Sequence, residues 1–220
     1  MIIRSTARRT LTSRGFTLIE LMIALVLGLL IIGATVTVFL SNQQTSRTMT
    51  ELGNAQEAFR FASQTIMRVV QQGSEMEDPE GALLRVVLAP GEGKMDCLGR
   101  SVESGVLDPD ADSIINTFSI SDGELLCSVA VEDIDGNIIG TETEAVLVEG
   151  LDIGRSEFTF GIADVADGYW KSNSLWGEVN EGEWNKVRSV RVLLAKQVGG
   201  ETIGATAVFS ATMRCPVLGC

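Results

Sequence analysis

The chain has 220 residues, 45% of them hydrophobic, with a formal net charge of −12 and no histidine. That acidity argues against a nucleic-acid partner, since non-specific binding draws on clustered Lys and Arg to displace counterions. The missing histidine removes the commonest general base and metal ligand, so neither an enzyme nor a cofactor or metal is expected.

Residues 1–15 form a basic leader. Arg4, Arg8, Arg9 and Arg14 have no acidic residue among them, and their removal would take the formal charge from −12 to −16, four positive charges fewer. The segment from Phe16 to Leu40, FTLIELMIALVLGLLIIGATVTVFL, then holds one charge, Glu20. About 20 apolar residues span a hydrocarbon core, so residues 16–40 are read as a transmembrane helix. Basic residues precede it and none follows until Arg47, which keeps the leader cytoplasmic and sends the rest outward. An ordinary cleaved signal peptide has an apolar core of about 7–15 residues and ends in a small-x-small site. This run is longer, and FLSNQQ is a poor site. A plain uncleaved anchor leaves Glu20 unexplained, because a carboxylate within a spanning helix calls for a partner. Cleavage between Gly15 and Phe16 would supply one, an amine four residues before Glu20, open to Glu20 of the same chain or of a neighbouring subunit.

The heptapeptide Arg14-Gly15-Phe16-Thr17-Leu18-Ile19-Glu20 resembles the class III signal of type IV prepilins and type II secretion pseudopilins. The resemblance implies cleavage after Gly15 by a prepilin peptidase, N-methylation of Phe16, and Glu20 as the assembly charge. It further implies a single-pass protein in inner-membrane lipid, its C-terminal domain periplasmic. The protein is then drawn into a pilus, at the tip or in the priming complex, through contacts of its N-terminal helix with minor and major pilins. Pilins often carry a helix-bending proline in this segment, but none lies between Phe16 and Gln72. Gly28 and Gly33 are the only soft spots, and close packing is the simpler reading of both.

Residues 41–72 continue the helical period. Leu52, Ala55, Phe59, Ala62, Ile66 and Val69 form one apolar stripe, with Gly73 offering a stop. A helix from Phe16 to about Gln72 would measure about 85 Å. The stripe could serve as a coiled-coil seam, but the strand-rich sequence beyond favours packing on a sheet. Residues 73–220 are expected to form a β-rich domain. Asn116–Ser121 and Glu124–Val131 flank the hairpin signal Asp122-Gly123. Ala145–Glu149 and Glu157–Ile162 read as short strands, as do Val187–Gln197 and Thr202–Ser210 around Gly199-Gly200. Regions 73–113 and 163–186 read as loops. The fold class is α+β, a long N-terminal helix packed on an antiparallel sheet.

Cys97, Cys127, Cys215 and Cys220 all follow the apolar run, as an oxidising compartment would permit. Four cysteines allow three pairings. Pairing sequence neighbours, Cys97 with Cys127 and Cys215 with Cys220, would contribute roughly 3–4 and about 2 kcal/mol through loop closure. Free thiols and zinc are the alternatives, and no CxxC spacing supports the second.

The order of landmarks in this domain resembles the PilW-like minor pilins. The pieces are Asp96-Cys97-Leu98-Gly99, Asn116–Ser121, Leu125-Leu126-Cys127, Leu147–Leu151, and Trp184 followed by Val187–Val192. The resemblance implies Cys97–Cys127 as a structural bridge and leaves the Cys215–Cys220 tail as a local addition.

Asp108, Asp110 and Asp112 alternate as calcium ligands might, but Ser113 and Ser119 stand where an EF-hand needs Gly and Glu. Asp133, Asp135, Gly136 and Asn137 read as a turn. Trp170, Trp176 and Trp184 read as loop anchors, with a carbohydrate-contacting surface as the rival. The expected function is a minor pilin. A J-like type II secretion pseudopilin and a pilus-anchored binding module are the alternatives.

Overall fold

A computed structural model describes residues 15–77, 83–103, 110–162, 184–198 and 201–214. Arg4, Arg8, Arg9, Arg14, Asp108, Trp170, Trp176, Gly199-Gly200, Cys215 and Cys220 therefore lie outside the described residues. The chain divides at Arg47/Thr48 into two compact units. One helix, α1 (Leu18–Gln72), contributes to both.

In the first unit α1 is apolar all round between Leu21 and Leu40. Leu21, Leu25, Leu29, Ile32, Val36 and Phe39 are all exposed, and the helix is long and apolar enough to cross a membrane. A helix with no polar face has favourable surroundings only in lipid or among similar helices. The Thr35 and Thr37 hydroxyls donate to the carbonyls of Ile32 and Ala34, both at 2.8 Å, which leaves neither unsatisfied in apolar surroundings. The helix runs unbroken through Gly28 and Gly33, where an added Cβ would meet nothing within 4 Å.

In the second unit α1 becomes one-sided. Ala55, Phe59, Ala62, Ile66 and Val69 are buried, together with Thr65 and Val70, while Leu52 is only partly covered. Burying each large apolar side chain contributes about 1.5–3 kcal/mol. The helix ends at Gly73, whose N–H donates to the Val69 carbonyl at 2.9 Å. Among the described residues the glycines with positive φ are Gly93, Gly99, Gly123, Gly136 and Gly150, so no left-handed cap sets Gly73. A Cβ there would lie 2.6 Å from Val86 Cγ1, so close packing requires the glycine.

The strands form two antiparallel meanders where a single sheet was expected. The first is β1 (Glu75–Glu77), β2 (Leu83–Leu88), β3 (Ser113–Ser121), β4 (Glu124–Glu132) and β5 (Ile138–Glu149), in that order. The second is β6 (Glu157–Ile162), β7 (Val187–Val198) and β8 (Glu201–Thr212). The β3–β4 hairpin turns on Asp122 and Gly123 at φ 51° and 79°, the left-handed pair that a two-residue turn of this hand requires. At the β4–β5 turn the Asp133 carboxylate accepts from the backbone N–H groups of Asp135 and Asn137, at 3.0 and 2.8 Å. The hydrogen bonds from Asn137 in particular hold its pKa below the usual 3.8.

Region 73–113, read as loop, contains β1 and β2. Leu83–Leu88 is nearly continuous in apolar residues and therefore lacks strand alternation, and its partner β3 lies far along the chain with no hairpin turn to announce it. Likewise Ala145–Glu149 is only the end of β5, which begins at Ile138 behind the exposed Thr143 and Glu144.

The segment after β5 joins the two sheets. The Leu151 N–H donates to the Gly123 carbonyl at 2.6 Å and the Asp152 N–H to the Ala195 carbonyl at 2.8 Å. Ser156 Oγ accepts from the Ala195 N–H at 3.0 Å, and Lys196 Nζ donates to the Glu149 carbonyl at 2.7 Å. One buried cluster therefore draws on α1, on the first sheet through Leu84, Ile114, Phe118 and Leu125, and on the second through Val190, Val192 and Leu194.

Candidate functional site

Gly15, Phe16 and Thr17 precede the helix and are exposed, Phe16 to 81%. The sequence reading began the helix at Phe16; it begins at Leu18 because Thr17 caps it. The Thr17 carbonyl accepts from the Glu20 and Leu21 N–H groups at 3.1 and 3.2 Å, and Thr17 Oγ1 accepts from the Glu20 N–H at 3.4 Å. Thr17 and Glu20 occupy the N-cap and third helical positions of a capping box, and Phe16 and Leu21 those of a hydrophobic staple. That signal was legible in the sequence and was missed. An added Cβ at Gly15 would meet nothing within 4 Å, so the packing of this chain does not demand a glycine there. Glu20 is exposed in the first turn, where the helix dipole favours a carboxylate. Gly15, Phe16 and Glu20 thus fall within one short, accessible stretch at the head of an apolar helix.

A second cluster organises the domain. Cys97 and Cys127 are joined by a disulfide with a Cα–Cα distance of 6.4 Å, tying the β2–β3 connection to the middle of β4. Both cysteines are buried, and the Cys97 N–H donates to Asn116 Oδ1 at 2.7 Å. The neighbouring Asp96 is fully buried, at 0% exposure. Its Oδ1 accepts from the N–H groups of Leu98 and Arg100 at 3.0 and 2.8 Å, and its Oδ2 pairs with Arg100 Nε at 2.7 Å. Arg68 of α1 donates to the Asp96 carbonyl at 3.1 Å, linking the helix to the disulfide loop. Nothing in the sequence distinguished Asp96 and Asn116 as the internal supports of this loop. Two buried side-chain donors remain without hydrogen-bond partners among the described residues, Arg68 Nε and Asn116 Nδ2.

Trp184 packs edge-on against Phe160, centroids 4.9 Å apart at 73°, and lies partly buried against the core. The described residues contain no group of three or more His, Cys, Asp or Glu able to hold a metal. A shallow cleft of about 330 Å3 is lined by Gln64, Met67, Arg68, Gln71, Gln72 and Arg214, and includes neither a nucleophile nor a carboxylate.

The family model of the prokaryotic N-terminal methylation motif matches residues 11–36. Among solved structures, a chain of the GspK-GspI-GspJ complex from the type 2 secretion system of enterotoxigenic Escherichia coli is similar. That likeness covers 72% of this chain and 99% of the other, at 15% identity and a TM-score of 0.39, too distant to bear on function. No curated protein gives a match. The chain thus carries a prokaryotic N-terminal methylation motif at the head of an exposed apolar helix, within an α+β architecture.

Proposed function

We propose that the chain is a PilW-like minor pilin, made as a precursor and matured by a prepilin peptidase. The methylation motif at the head of an exposed apolar helix is the observation that carries this reading. In maturation, hydrolysis adds water across the Gly15–Phe16 amide, leaving a carboxylate on Gly15 and an amine on Phe16. That amine then takes a methyl group from an electrophilic methyl-donating cosubstrate, whose bond to the methyl carbon breaks as the amine gives up a proton. Residues 16–40 hold the protein in the inner membrane until they leave lipid for a bundle of similar helices. A misplaced carboxylate in such a bundle is costly, so pairing of Glu20 with the amine of its own or a neighbouring subunit favours correct docking over slipped docking.

The Cys97–Cys127 bridge in its Asp-Cys-Leu-Gly context supports a pilus subunit over a type II secretion pseudopilin. Deleting the gene and scoring pilus number and protein secretion together tests the choice. Loss of pili with normal secretion is expected, and lost secretion with normal pili would assign the chain to the secretion machinery. Replacing Gly15 with a bulky residue should leave an uncut precursor, visible as a slower gel band.

A further inference from the structure

We infer that Thr17 is a positioning residue for precursor cleavage, because its cap fixes where the helix starts and so keeps the Gly15–Phe16 bond outside the helix. The inference rests on the processing proposed above and assigns it a residue beyond the junction itself.

The apolar residues that follow are good helix formers, and nothing in their composition prevents a helix from starting earlier or later. The structure starts it at Leu18, with Thr17 Oγ1 accepting from the Glu20 N–H at 3.4 Å and the Thr17 carbonyl taking the first helical bonds. The cap therefore lies one residue past the scissile amide. Residues 15–17 are exposed, and Gly15 has open space where a Cβ would stand. A bond inside a first helical turn would have its carbonyl engaged four residues on and its flanking side chains wrapped around the axis. Held before the cap, both faces of the amide and its carbonyl oxygen remain open to a peptidase. Thr17 touches neither the attacking water nor the reacting atoms in this scheme; it acts through the backbone.

The chemistry of capping separates this role from recognition of the threonine itself. Val matches Thr in shape but cannot accept a hydrogen bond. Ser and Asp differ from Thr in shape, and both cap well. The experiment compares full-length precursors carrying Thr17→Val, Thr17→Ser and Thr17→Asp, incubated in detergent with the prepilin peptidase. Initial cleavage rates are followed by gel, and the cut site is read by mass spectrometry.

The expected result is a kcat/KM about fivefold lower for Thr17→Val, the factor that a lost cap of ordinary strength corresponds to, with Ser and Asp close to wild type. Wild-type speed for Thr17→Val would overturn the inference and leave the proposed processing intact. Equal slowing of all three variants would also overturn it, since the peptidase would then be reading the threonine side chain. A wild-type chain that is not cut after Gly15 would remove both the inference and the processing on which it rests.

Discussion

Asp96 offers the most searching test of how the domain is held. Its buried carboxylate accepts two backbone N–H groups and one guanidinium N–H, all within 3.0 Å. Asp96→Ala removes all three acceptors. Charge-assisted bonds contribute about 1.5–3 kcal/mol each before compensation. The Arg100 side chain is 39% exposed, so water recovers its guanidinium and that bond shrinks to about 1 kcal/mol or less. The N–H groups of Leu98 and Arg100 lie in a part-buried loop and recover less, about 1 kcal/mol lost for each. The total is about 3 kcal/mol, or about 6–12 °C in Tm for a domain of this size. Asp96→Asn keeps the Oδ1 acceptor for both backbone groups but turns a donor toward Arg100, for a cost of about 1–2 kcal/mol. Thermal unfolding of the full chain in detergent, read by near-ultraviolet circular dichroism, measures both without interference from the apolar helix. If both variants melt within about 0.5 kcal/mol of wild type, Asp96 does not organise the loop. If Asn falls as far as Ala, the charge itself matters and the backbone bonds do not.

The double variant Cys97→Ala/Cys127→Ala opens a connection of 30 residues and should lose about 3–4 kcal/mol, read as a lower denaturant midpoint under oxidising conditions. Gly73→Ala should cost about 1–3 kcal/mol, because the new Cβ meets the stiff, buried Val86; pairing it with Val86→Ala should recover part of that loss. Glu77 has its pKa raised above 4.5, first by desolvation and then by Glu132 and Glu75, against the opposing pull of Arg85. A carboxyl with a raised folded pKa binds its proton more tightly folded than unfolded, so its contribution to stability is lost as pH rises from about 4.5 through the folded value. Glu77→Gln should flatten that decline, and at neutral pH it should melt no lower than wild type despite losing the 3.3 Å contact with Arg85. Glu20→Ala should leave cleavage largely intact while reducing piliation, counted by electron microscopy; normal piliation would refute the assembly role.

Much of the fold was legible because it follows local rules. The stripe from Ala55 to Val69 has a period that only a helix satisfies, and the structure buries that stripe. Asp122-Gly123 announced its hairpin because few residue pairs accept the required backbone angles. Strand β2 was illegible for the opposite reason: its pairing with β3 crosses a long connection, and a run buried along most of its length carries no period of two. The division into two sheets was equally hidden, since it depends on where Leu151–Ser156 meets β7 across the fold.

At the N-terminus the sequence by itself determined the apolar run and the start of the helix at Leu18, because capping and hydrophobicity act within a few residues of chain. Tertiary structure alone decided why Gly73 must be glycine and how Asp96 and Asn116 support the disulfide loop. Each of those depends on atoms distant in sequence, such as Val86 beside Gly73 and Asn116 beside Cys97, and no local pattern encodes such an approach.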